Sequence, residues 1–192
     1  MDKSLDYFMC LCKRRKPIHL FKSILNNDYH SIDYLLNFLD KDMYNHLYNE
    51  NDLTPVMLAS KLNHYEILEL LLKKDLDVNA TNDEGKSALH FACAEGNDDI
   101  VYLLIQNGAD INLLDNDSKS PIYYAIKGEF SEVIVELCNY NVKLNNDELN
   151  NLTNYKIKEL IQSLLLSNDE SESSQIQTEP SSVFPVPSLS PE

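Results

Sequence analysis

Glycine is scarce in this chain, with four residues in 192, and tryptophan is absent. Four glycines are too few for the loops that cradle phosphates. Cations are also in deficit: 16 Lys and Arg against 31 Asp and Glu leave a formal net charge of -15, which argues against a nucleic-acid partner. The four cysteines, Cys10, Cys12, Cys93 and Cys138, do not make a disulfide framework, so a reducing compartment fits. Cys10 and Cys12 are one residue apart and no second Cys/His pair stands at ligand spacing, so no metal site and no cofactor is expected. No recognisable nucleophile motif occurs; Cys93, three residues after His90, is the one candidate, and a small packed side chain is the simpler reading. No run approaches the roughly 20 apolar residues of a membrane span, and Tyr7 to Cys12 is too short for a secretory signal. These absences point to a soluble, non-enzymatic protein in the cytoplasm, the nucleus or both.

What the chain does have is a period. At an offset of 33, Thr54-Pro55-Val56 recurs as Ser87-Ala88-Leu89 and as Ser120-Pro121-Ile122. Ala59, Ala92 and Ala125 keep the same step, as do Ile67, Ile100 and Val133, then Leu71, Leu104 and Leu137. Each unit closes on Asn79, Asn112 or Asn145. Repeats of this length signal a stacked solenoid.

Each unit reads as a helix pair. A hydroxyl before proline, at Thr54 and Ser120, caps a helix whose first position tolerates proline. Asn63 and Gly96 suit the left-handed turn into a second helix. There Ile67, Leu70 and Leu71, or Ile100, Leu103 and Leu104, form one apolar stripe. Residues 82–86 and 115–119 are polar and turn-rich, and are expected to project as loops between helix pairs.

The central unit, with Gly85, Ser87, Ala88, Leu89, His90, Ala92, Gly96, Gly108, Ala109, Asp110, Ile111 and Asn112, resembles an ankyrin repeat. The resemblance covers Asn49 to Asn145. It implies an all-α solenoid of helix-turn-helix units with projecting β-turns, in which His90 ties one repeat to the next. The outer units depart from the pattern. Met57 and Tyr123 replace the histidine, Glu129 replaces the inter-helix glycine beside a displaced Gly128, Asp75 and Asn141 replace the second glycine, and Glu136 sits on a core stripe. The organisation expected is a lead (1–16), an atypical capping repeat (17–48), three repeats (49–81, 82–114 and 115–145), a helical cap (146–166) and an acidic Ser/Pro tail (167–192) expected to be disordered. In the first repeat Asp28 takes the turn position if that unit is two residues longer than the others.

The resemblance further implies a monomeric protein-binding module, an adaptor, scaffold or inhibitor, whose concave face receives another protein. Carried over by position, that face contains Glu50, Asn51 and Lys61, then Asp83, Glu84, Lys86, Ala94 and Glu95, then Asn116, Asp117, Lys119 and Lys127. Phe91, Tyr123 and Tyr124 serve there either as aromatic anchors or as contacts with the adjoining repeat.

Charge is uneven along the chain: residues 1–48 carry 7 basic and 6 acidic groups, 49–145 carry 7 and 17, and 146–192 carry 2 and 8. The basic cluster Lys13-Arg14-Arg15-Lys16 follows Phe8-Met9-Cys10-Leu11-Cys12. It reads as a solvated lead-in, as an import signal, or as half of a membrane anchor completed by acylated cysteines. The last reading makes a membrane-tethered regulator the alternative function.

Overall fold

A computed structural model describes residues 18–38, 47–140 and 142–144, together with 155, 158–159 and 161–163. The lead, the tail and most of the closing cap lie outside the described residues. The described part is helical, with no strand. Its helices are α1 (18–25), α2 (Tyr29–Phe38), α3 (Pro55–Lys61), α4 (Tyr65–Lys73), α5 (Ala88–Glu95), α6 (Asp98–Gln106), α7 (Pro121–Lys127) and α8 (Ser131–Asn139).

The apolar period builds two layers. α3 packs on α5 and α5 on α7, forming the inner layer. α2, α4, α6 and α8 stack in the same order as the outer layer. Ala59, Ala92 and Ala125 are fully buried where inner helices meet, because a methyl group lets two backbones approach. Ile67, Leu71, Ile100, Leu104, Val133 and Leu137 are likewise at 0 % exposure. Glu136, on that stripe, is only partly buried. Ile161 is fully buried on the same core cluster.

Capping chemistry fixes where the inner helices start. Thr54 Oγ1 accepts from the Met57 amide at 3.2 Å, and Met57 Sδ accepts from the Thr54 amide at 3.4 Å. In the next unit His90 replaces the methionine: its Nδ1 accepts from the Ser87 amide at 3.0 Å. Ser120 makes no side-chain cap bond, so Pro121 opens α7 without the expected hydroxyl cap.

The turn between the two helices of a unit requires a left-handed residue. That residue is Asn63 (φ 57°), Gly96 (74°) or Glu129 (59°), at the period of 33. In the first unit it is Asn27 (φ 53°) and not Asp28. Asp28 instead caps α2, where its carboxylate accepts from the Ser31 amide at 3.1 Å and from the Ser31 hydroxyl at 2.5 Å. An amide side chain tolerates the left-handed region, while a carboxylate is better placed at a helix start. Gly128 has an ordinary right-handed φ of -83°, so conformation does not explain it. Proximity does: the Phe130 ring lies against both Gly96 and Gly128, and an added Cβ at either would fall within 2.6 Å of a ring carbon.

Candidate protein-binding face

Three turns, 49–53, 82–86 and 115–119, carry the expected loop residues, and each is built the same way. The Oδ1 of Asn49 accepts from the amides of Asn51 and Leu53 at 2.9 Å each. Asn82 accepts from Glu84 at 3.1 Å and Lys86 at 2.9 Å, and Asp115 from Asp117 at 2.9 Å and Lys119 at 2.8 Å. A short side-chain acceptor thus substitutes for a backbone turn. The turns then bond to one another. The Asp83 amide donates to the Asp52 carboxylate. The Asn116 amide donates to Glu84 O at 3.0 Å, and its side chain donates to Asp83 O at 2.7 Å. A Cβ on Gly85 would stand 2.8 Å from the Asn116 backbone nitrogen, and its φ is 76°, so glycine permits this approach.

Glu50, Asn51, Asp83, Glu84, Asn116 and Asp117 are all exposed at the turns. Asn116 is committed to the neighbouring turn, whereas Glu84 pairs with Lys86 at 2.7 Å. Lys61, Ala94, Glu95 and Lys127 are exposed at the ends of α3, α5 and α7.

The expected lysines and aromatics come together, two pairs across units and the pair Lys119–Tyr123 within one. Lys61 Nζ lies 5.8 Å from the Phe91 ring centre, Lys86 5.2 Å from Tyr124, and Lys119 4.6 Å from Tyr123, all within cation–π range. The three rings divide by role. Phe91 and Tyr124 pack against the core cluster. The Tyr124 hydroxyl also donates to Asp115 at 2.5 Å. Burial, then the bond and charge of Asp115, push the Tyr124 hydroxyl up to about 12. Burial on its own would raise the Asp115 pKa, but bonds from Tyr124, Lys119 and Asp117 together hold it below its usual value. Tyr123 meets Tyr124 edge-on at 5.4 Å and is half-buried.

His90 Nδ1 accepts from Ser87, so the proton sits on Nε2, which donates to Lys119 O at 3.2 Å. It therefore ties α5 to the following turn, and its desolvation holds the imidazole pKa down. Cys93 is fully buried, which drives its thiol pKa up. With both nitrogens of His90 engaged and the thiol shut from water, the pair serves packing and capping.

Asparagines form a second row of ties. Asn79 donates to Gly108 O at 2.9 Å and accepts from the Asp110 amide at 2.8 Å. Asn112 accepts from the Lys143 amide at 2.8 Å. Asn145 is outside the described residues. Sequence reasoning noted this row but not its role, and it missed Asn49, Asn82 and Asp115 as turn anchors although they too recur at 33.

Among the described residues no group of His, Cys, Asp or Glu could hold a metal, and no helix is long and apolar enough to cross a membrane. No curated protein matches the chain. The family model described as ankyrin repeats matches three copies, over residues 20–115 and 89–155. Ankyrin repeats are generally protein–protein interaction modules. With the turns of its three central units and the asparagine ties between them at one period, and the family match spanning most of its length, the chain belongs to the ankyrin-repeat family.

Proposed function

We propose that the chain is a monomeric, non-catalytic adaptor, scaffold or stoichiometric inhibitor that receives a protein partner on the row of turns and the exposed side of α3, α5 and α7. The observation that carries this is the mutual bonding of the turns. Each backbone is fixed by its own Asx anchor and by its neighbour before any partner arrives, so little ordering entropy opposes association. The side chains at the tips remain exposed. Tyr123, half-buried beneath Lys119, is the aromatic available as an anchor.

The test compares two variants of the full chain against a partner recovered by affinity purification. Asp83, Glu84 and Lys86 to alanine alters the middle turn and should change stability by only a few tenths of a kcal/mol per site. Glu66 and Glu69 to alanine alters α4 on the outer layer, removing the exposed Glu69–Lys73 pair, which is worth little. Calorimetry should show binding weakened by the first variant and kept by the second. The reverse pattern would assign binding to the outer helices.

A further inference from the structure

Charge in this stack is distributed by layer. The outer helices α4, α6 and α8 carry Glu66, Glu69, Asp98, Asp99, Glu132 and Glu136 against the single cation Lys73. The inner helices α3, α5 and α7 carry one carboxylate, Glu95, against Lys61 and Lys127, and Lys86 and Lys119 join them from the ends of two turns, over the rings of α7. Four of the six cations between residues 47 and 140 thus stand on the inner side of a chain whose formal net charge is -15. The other two are engaged elsewhere: Lys73 pairs with Glu69 at 2.9 Å, and Lys74 donates to Asn37 Oδ1 at 2.7 Å.

Lys61, Lys86 and Lys119 each rest on a ring. A lysine over an aromatic face keeps its charge, and the ring restricts it before anything binds, so less side-chain entropy is lost on association. Phe91, Tyr123 and Tyr124 are half-buried there, so cation and apolar surface are presented together. Of the turn carboxylates, Glu84 pairs with Lys86, Asp52 accepts from the Asp83 amide, and Asp115 is buried under the Tyr124 hydroxyl and the Asp117 and Lys119 amides. Glu50, Asp83 and Asp117 are exposed at the tips. The face is therefore a row of ring-backed cations edged by negative tips.

We propose, building on the reading of this side as the binding face, that the partner is a protein segment lying extended across α3, α5 and α7, with carboxylate side chains at about every third residue to meet Lys61, Lys86 and Lys119. The spacing follows from the stack: packed helices lie ~8–10 Å apart, and an extended chain rises ~3.3 Å per residue. The carboxylates are spaced and not continuous, because Glu50, Asp83 and Asp117 at the tips repel a dense polyanion while leaving single charges free to sit on the row. Apolar residues between the carboxylates lie against Phe91 and Tyr123, the pairing of a buried anchor with flanking charge that gives an interface both affinity and register.

The test is an amide NMR titration of the full chain with a synthetic peptide of roughly 12 residues, enough to cross the three inner helices, built on the repeat Glu-Val-Ser. Two companion peptides carry glutamine or lysine in place of glutamate. The glutamate peptide should shift signals of α3, α5, α7 and their turns, more weakly at about 300 mM salt than at about 50 mM, and the glutamine peptide should not. Lys61→Gln with Lys119→Gln should weaken binding about five- to ten-fold. Lys73→Gln with Lys74→Gln removes the same charge from the outer layer and should leave binding unchanged; circular dichroism checks that both double variants fold. Shifts on the inner face with the lysine peptide alone would overturn the acidic partner and keep the face. Shifts confined to α4, α6 and α8 would overturn the face itself, and the proposal with it. No binding of the glutamate peptide at about 1 mM, or equal binding of the glutamine peptide, overturns the proposed chemistry.

Discussion

Gly128→Ala isolates a cost that backbone geometry does not contain. At φ -83° and ψ -5° alanine is an allowed residue, and in open space the change should stabilise by about 0.4–1 kcal/mol through the unfolded chain. Here the new Cβ would lie 2.6 Å from Phe130 Cδ2 and closer still to Cε2. Displacing a packed ring costs roughly 1–3 kcal/mol, so the net effect should be destabilising, by about 1 kcal/mol. The sign should reverse in a Phe130→Ala background, where no ring opposes the methyl and only the entropic gain is left. The coupling between the two sites is then about 1–3 kcal/mol, the range for residues in contact. Urea unfolding of the four proteins of the cycle, followed by circular dichroism, measures it. Phe130→Leu is the milder background should the alanine variant be too unstable. An equal effect of Gly128→Ala in both backgrounds would refute the packing explanation for this glycine.

Leu104→Ala, at 0 % exposure between neighbouring units, should cost roughly 2–5 kcal/mol in the same assay, and a value under about 1 would show that the stripe is misassigned. His90 is held neutral by burial, so the unfolded chain binds the extra proton first. Stability should therefore be full above about pH 6.5 and fall as pH drops below it. His64, whose pKa burial also lowers, adds to the same slope, so a flatter profile in His90→Gln against wild type measures the His90 share; an unchanged slope would deny it. Asp115→Ala strips the acceptor from three donors and should destabilise by about 1–3 kcal/mol, whereas Asp115→Asn, which keeps an acceptor oxygen, should lose clearly less. Comparing their unfolding midpoints checks it.

Most of the fold was legible because its apolar residues keep one period, as Ile67, Ile100 and Val133 do. The misreadings arose where neighbours in sequence divide their work by geometry. Asn27 and Asp28 both suit turns, and only the backbone shows that the amide takes the left-handed place while the carboxylate caps α2. Gly128 looked like a displaced turn glycine, but the ring it accommodates is fixed by the path of the next helix. At the binding face the polar turns were readable. Tyr123 and Tyr124 could not be told apart, since adjacent aromatics differ only in which one reaches Asp115. The anchors Asn49, Asn82 and Asp115 carried a visible period without a visible purpose, because Asn and Asp are common in any polar loop.

The ties made by Asn79 and Asn112 end on backbone groups of the following unit, and backbone is the same whatever residue bears it. Excising residues 82–114 would bring the Lys143 amide to the place that the Asp110 amide holds opposite Asn79, with the bond available unchanged. Along this row of ties the array can therefore gain or lose a whole unit without inventing a new bond. Its length is open to duplication and loss in a gene, while the side chains displayed on each unit are free to diverge.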